Sequence, residues 1–105
     1  MSNLTLDLYS SKAMQFRLPS ADASYVVLGL LGEIGELYGA WAKNVRDDTE
    51  MDPENTKKEL GDILWFLAAL CEECDTSLSE VAEMNIKKLS SRAARGKIQG
   101  SGDDR

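Results

Sequence analysis

The chain contains 105 residues, a length that fits one small domain. Hydrophobic residues make up 43% and charged residues 29% of the sequence, which is too apolar for a disordered chain. The formal net charge of −6 argues against a nucleic-acid-binding protein. There is no histidine, which excludes Ser-His-Asp and Cys-His nucleophiles and every metal site that needs imidazole.

Membrane insertion and secretion are not expected from this sequence. The longest apolar run, residues 63–71, is much shorter than the roughly 20 residues that span a bilayer. The N-terminus has no basic segment followed by an apolar stretch, so no signal peptide is expected. Cys71 and Cys74 lack the further ligands of a zinc site, and we interpret them as two small hydrophobic residues on a helix. Together these features predict a cytoplasmic protein.

Hydrophobic spacing and capping residues predict four helices and no strand. Thr5 is the expected N-cap of the first helix, and Asp52 precedes a proline at the start of the third. Ser77 begins a capping box for the fourth helix, Gly96 ends it, and a flexible tail follows over residues 97–105. The four predicted helices cover about residues 6–16, 22–46, 53–74 and 78–95. This pattern predicts one all-α domain resembling a four-helix bundle, with antiparallel helices.

The second predicted helix is apolar nearly all round. One apolar face contains Val26, Leu30, Leu37, Ala40 and Trp41. A second face contains Val27, Leu31, Ile34, Tyr38 and Val45. Gly29, Gly32, Gly35 and Gly39 lie between the two faces. Because a chain of this length cannot cover one of its helices completely, we expect a homo-oligomer with this helix at the interface.

Two pairs of acidic residues carry the most plausible chemistry. Glu33 and Glu36 lie three residues apart on the second helix, and Glu59 and Asp62 lie three apart on the third. Both pairs have apolar neighbours, among which carboxylates are costly to bury. If the pairs face each other across an antiparallel hairpin, they repel unless a cation binds, and oxygen ligands suit Mg²⁺.

Two other interpretations of the acidic pairs remain open. Such pairs are common on solvated helix faces. A di-iron or di-manganese bundle normally adds a Glu-x-x-His motif, which this sequence cannot form without histidine. Magnesium is therefore the better match.

The fourth predicted helix carries complementary charge. Asn85, Lys88 and Arg92 share one stripe at spacings of three and four residues. Cations of this kind neutralise the oxygens of a metal-bound polyphosphate, although a solvated basic face is the simpler alternative.

The two acidic motifs, within residues 30–37 and 59–65, resemble the E-x-x-E and E-x-x-D signature of MazG-like nucleotide pyrophosphohydrolases. These enzymes belong to the all-α NTP pyrophosphatase superfamily. Asn85, Lys88 and Arg92 are similar to the family's N-x-x-K-x-x-x-R segment. The resemblance covers roughly Thr5 to Arg95. It implies Mg²⁺-dependent hydrolysis of a (d)NTP to a (d)NMP and pyrophosphate, as a house-cleaning activity on nucleotide pools.

The same resemblance implies roles for individual residues. The implied metal ligands are Glu33, Glu36, Glu59 and Asp62, with Mg²⁺ as the ion and Mn²⁺ as its substitute. Glu36 and Glu59 are the implied catalytic residues, with Glu36 orienting or deprotonating the attacking water. Lys88, Arg92 and Asn85 are the implied phosphate ligands. The family also implies a homodimer or homotetramer with sites built across subunits.

Base recognition and two competing functions complete the expectations. Phe66 lies one turn after Asp62 and is expected to stack on a base or sugar, whereas Trp65 is expected in the core or an interface. Trp41 and Tyr38 are further candidates for binding the base.

The competing functions are a non-enzymatic helical dimerisation module and a degenerate family member that binds nucleotide without turnover.

Overall fold

The computed structural model describes residues 3–96, 100 and 102 of the chain. It contains four helices, and the described residues form no strand, which confirms the all-α fold. The helices are α1 (Leu6–Met14), α2 (Ala23–Asp47), α3 (Pro53–Glu73) and α4 (Leu78–Ala94). Apart from Gly100 and Gly102, the predicted flexible tail lies outside the described residues.

Each helix begins at a polar N-cap whose side chain accepts a backbone N–H of the first turn. Thr5 Oγ1 accepts from Leu8 N–H at 3.0 Å, and Ser77 Oγ accepts from Glu80 N–H at 3.1 Å. The other two N-caps are Asp22 and Asp52. Helix α1 ends at Met14, two residues before the approximate end predicted near Phe16. The Phe16 side chain therefore lies beyond the helix.

Helices α2 and α3 form an antiparallel hairpin that contains the centre of the core. Val26, near the start of α2, packs with Phe66 and Ala69 in the second half of α3. Helix α1 packs on α3, where the Trp65 indole N–H donates to the Ala13 carbonyl at 3.0 Å. Helix α4 packs on α1 and α3, and the described residues make no contact between α4 and α2. As a result, α2 has one covered face and one open face.

Gly29 permits the close approach of α2 to α3. A Cβ atom at this position would lie 2.3 Å from the Phe66 ring, which is impossible without displacing the ring. Cβ atoms at Gly32, Gly35 and Gly39 would meet nothing within 4 Å. Only the first of the four helix glycines is therefore required by packing within the described protomer.

The two apolar faces of α2 have different surroundings. Val26 is fully buried, and Leu30 and Leu37 are partly buried. On the second face, Leu31 is 62% exposed and Tyr38 is 74% exposed. The second face is thus an apolar surface of α2 that no other described helix covers.

Among the described helices, none has a stretch with the length and hydropathy that a membrane span requires.

The interpretation of both cysteines as small helix hydrophobes is correct for only one of them. Cys71 is half-buried in the last turns of α3, and burial is the main cause that raises the pKa of its thiol. Cys74 is exposed and forms the C-cap of α3. The helix ends there because Asp75 takes a left-handed conformation, with φ of 56°.

Candidate functional site

Three of the predicted acidic residues meet where α2 faces α3. Carboxylate oxygens of Glu33, Glu59 and Asp62 all lie within 4.8 Å of one another. We call these three residues the acidic cluster. The antiparallel hairpin places Glu33 opposite the other two, which project from one side of α3 because they are three residues apart. The close approach at Gly29, one turn before Glu33, keeps the two helices near enough for the carboxylates to meet.

Burial and neighbouring negative charges both disfavour the ionised form of Glu33. Its Oε2 atom and that of Glu59 are buried and have no hydrogen-bond partner among the described residues. Burial is the largest cause that raises the pKa of Glu33, followed by the negative charges of Glu36, Asp62 and Glu59. Carboxylates held together in this way need a proton or a cation to relieve their repulsion.

Glu36 lies outside the acidic cluster. It is exposed, and together with Glu59 it lines one end of a cleft between α2 and α3. Its charge still acts on Glu33. The expectation that four acids converge within a few ångströms is therefore met by three of them, with the fourth at the rim.

The acidic cluster fits a hard divalent cation. All of its donors are carboxylate oxygens, which Mg²⁺ and similar ions prefer. Two buried oxygens, on Glu33 and Glu59, have no hydrogen-bond partner in the described part of the chain and are available to coordinate a cation. This donor set suits Mg²⁺ and Mn²⁺ alike.

Tyr9 is a neighbour of the acidic cluster that sequence reasoning missed. Its pKa is raised mainly by burial and then by the charge of Asp62, so the phenol lies within electrostatic range of that carboxylate. This proximity follows from the packing of α1, because Ala13, one turn after Tyr9, accepts a hydrogen bond from Trp65, one turn after Asp62. A tyrosine on an apolar helix stripe gives no local sign of such a neighbour.

The basic residues of α4 occupy different environments. Arg92 is buried, and its Nη2 donates to the Gly102 carbonyl at 3.1 Å. Lys88 is half-buried and Asn85 is exposed. Within the described residues, α4 packs on α1 and α3 and not on α2, which carries Glu33. The binding of phosphates by these three residues of α4 remains a prediction.

The expectation that Phe66 stacks on a base is corrected by the structure. Its ring is buried in the core, edge-on to Trp65 at 5.2 Å between ring centroids and 5.9 Å from the Tyr25 ring. The ring is occupied by packing because it fills the space above Gly29. Trp65 belongs to the core periphery as expected, whereas Trp41 is exposed.

Comparison with known proteins identifies the family. The sequence matches the MazG nucleotide pyrophosphohydrolase domain over residues 22–96. The chain belongs to the MazG family. The MazG match contains α2, α3 and α4 and therefore the whole acidic cluster, whereas Tyr9 lies outside it.

The sequence also has a viral relative. The chain is similar to the Gene 37 protein of Mycobacterium phage L5, with 44% identity over 86 residues. The alignment covers 78% of this chain and 75% of the phage protein. No solved structure matches the chain.

Proposed function

We propose that this protein is a Mg²⁺-dependent pyrophosphohydrolase that converts a (d)NTP to a (d)NMP and pyrophosphate and thereby removes unwanted nucleotides. The proposal rests above all on the acidic cluster, in which two buried carboxylate oxygens lack any partner among the described residues. Membership of the MazG family supports a nucleotide as substrate.

Glu33, Glu59 and Asp62 would hold the metal ion through their carboxylate oxygens. When bound, Mg²⁺ would neutralise phosphate charge and make a coordinated water more acidic. Mn²⁺, which accepts the same oxygen ligands, would be able to substitute for it.

Glu36 would accept the proton of the attacking water, and its position in the lining of the same cleft as Glu59 supports this role. The water oxygen would bond to the α-phosphorus while the bond from that phosphorus to the bridging oxygen breaks. Pyrophosphate then leaves with the electron pair. Asn85, Lys88 and Arg92 would bind phosphate oxygens and offset their charge.

One assay tests this reaction. The purified protein is incubated with each of the four common dNTPs and dUTP in the presence of Mg²⁺, and the products are separated. We expect monophosphate and pyrophosphate, and we expect Glu59→Gln to lower the rate by at least about 100-fold. Glu83→Gln, which neutralises an exposed acid of α4 away from the cluster, is the control and should keep full activity.

The other outcomes of the assay separate the competing functions. Release of orthophosphate would show that a different bond is cleaved. Nucleotide binding without turnover would favour a degenerate family member. Neither binding nor turnover would leave the helical dimerisation module as the better explanation.

We also propose that the protein is a homo-oligomer, either a dimer or a tetramer. The supporting observation is the second apolar face of α2, where large side chains remain exposed in the described protomer. The exposed side chains of that face are Val27, Leu31, Ile34, Tyr38 and Val45. Contiguous exposed apolar surface of this kind is typical of protein interfaces.

A further inference from the structure

One cleft of the described protomer begins at the acidic residues and extends away from them. It has a volume of about 620 Å³ and lies between the second half of α2 and the first half of α3. Glu36 and Glu59 line one end, and Trp41, Asn44 and Asn55 line it farther along. Volumes of several hundred cubic ångströms are typical of small-molecule sites.

The length of the cleft suits a nucleoside. Glu36 and Asn44 are eight residues apart on one helix, which corresponds to about 12 Å along the axis. A sugar and a base attached to a phosphate near Glu36 would extend over a comparable distance. The cleft can therefore receive the part of a nucleotide that the acidic cluster cannot bind.

Trp41 provides an aromatic surface in this cleft. It is 48% exposed and lines the cleft rather than filling the core. Every nucleobase has a π-face that stacks on an aromatic side chain, so such stacking is strong but tolerant of the base. The indole is thus the natural partner for a base.

Asn44 provides an oriented polar group beside Trp41. Asp48 ends α2 in a left-handed conformation, with φ of 53°, and turns the chain back on itself. Thr49 then donates its backbone N–H to the Asn44 carbonyl at 2.9 Å and its hydroxyl to Asn44 Oδ1 at 3.0 Å. With Oδ1 occupied, the amide N–H groups of Asn44 are left to donate to an acceptor on a base edge.

We propose that this cleft binds the nucleoside of the substrate, with the base stacked on Trp41 and hydrogen-bonded to the amide of Asn44. The phosphates would then extend toward Glu36 and the acidic cluster. The proposal rests on the proposed function for the identity of the substrate, but its binding step does not depend on hydrolysis. Thr49 acts as a positioning residue, because it orients the Asn44 amide.

The test measures binding without turnover. The four deoxynucleoside monophosphates are titrated into the protein, and binding is followed through the NMR signal of the Trp41 indole N–H and by calorimetry. Trp41→Ala should weaken binding by about tenfold or more, and Trp41→Phe should retain most of it. Because the indole signal is lost in these variants, calorimetry supplies their affinities.

Substitutions of Asn44 and Thr49 test the proposed hydrogen bond between the base and the Asn44 amide. Asn44→Asp keeps the size of the side chain but removes both N–H donors, and we expect about a tenfold loss of affinity. Thr49→Val should cause a smaller loss, about threefold, because it frees the amide without removing it. If hydrolysis is observed, Thr49→Val should raise KM and leave kcat unchanged, which a general loss of folding would not do.

Phe16→Ala is the matched control. Phe16 is an exposed aromatic residue just beyond α1, and it is not among the residues that line the cleft. Its variant should bind monophosphates normally. The proposal is overturned if Trp41→Ala binds like the unmodified protein, or if Trp41→Ala changes the oligomeric state in light scattering while Phe16→Ala does not.

This design separates the two proposals. Loss of monophosphate binding in Trp41→Ala would support the nucleoside cleft even if no dNTP were hydrolysed. Normal hydrolysis with unchanged KM in the same variant would overturn the cleft assignment and leave the proposed function intact.

Discussion

The two sides of α2 have similar apolar residues but opposite surroundings. The inner side packs against α3 around Val26, and Gly29 lets the Phe66 ring approach the helix backbone. The outer side leaves Leu31 and Tyr38 largely exposed. Hydrophobicity alone therefore does not distinguish the side that forms the core from the side that faces outward.

The two sides differ in that the inner side contains a buried acidic residue among its apolar residues. On the inner side, Glu33 faces two further acids and has a buried oxygen that no described residue hydrogen-bonds. Such an arrangement costs stability in the absence of a cation. A costly feature inside a packed interface indicates chemistry, whereas an uncovered apolar surface indicates a binding partner.

The largest expected effect concerns the outer side. Leu31→Lys places a charge in the proposed subunit interface, and we expect it to weaken self-association by at least about 100-fold. Light scattering at several protein concentrations measures this change. Gln15→Lys, at the exposed C-cap of α1, is the control with the same introduced charge. A wild-type protein that remains monomeric at high concentration would contradict the proposed interface.

A smaller effect is expected from glycine substitutions that compare the two sides. Gly29→Ala should lower the free energy of unfolding by about 2 kcal/mol, because the new methyl group collides with the Phe66 ring. The methyl group of Gly32→Ala would meet no described atom within 4 Å, and this substitution should raise stability by about 0.8 kcal/mol through helix propensity. Urea denaturation measures both changes. If Gly32→Ala were strongly destabilising, another subunit would have to approach the helix at that glycine.

An effect smaller than that of Gly29→Ala concerns the pH dependence of stability without metal. The pKa of Glu33 is raised in the folded protein above its usual value of 4.5. Between these two pKa values the folded chain binds more protons than the unfolded chain, so stability should fall as the pH rises through the raised pKa. Glu33→Gln should remove this decline and stabilise the metal-free protein near neutral pH by about 1 kcal/mol.

Thermal unfolding in EDTA across the pH range tests this expectation. Added Mg²⁺ should stabilise the unmodified protein near neutral pH and have no such effect on Glu33→Gln. Stability that rises with pH in the metal-free protein would show that Glu33 is not the dominant titrating group.

The helices and their beginnings were predictable because the signals are local. Thr5 and Ser77 bond to N–H groups three residues later in the chain, so their roles can be recognised within one helical turn. The acidic residues could also be paired, since spacings of three place side chains on one side of a helix. The end of α1 was less certain, because no strong stop signal occurs between Met14 and Pro19.

Side-chain environments were predicted less well because they depend on distant segments. Phe66 was expected to face a ligand, but the space above Gly29 draws its ring into the core. Tyr9 comes within range of the Asp62 charge because α1 packs on α3. Neither environment has a signature within a few residues of the side chain concerned.

The sequence by itself determined four capped helices, two acidic pairs and a second helix that is apolar on both sides. Tertiary structure decided which side of α2 faces α3, and that choice brought Glu33 to Glu59 and Asp62 while leaving Glu36 at the rim of the cleft. Helix formation follows from interactions within a turn or two, whereas the meeting of these carboxylates depends on how closely two helices pack. That closeness is set by Gly29 and Phe66, which are far apart in the chain and adjacent only after folding.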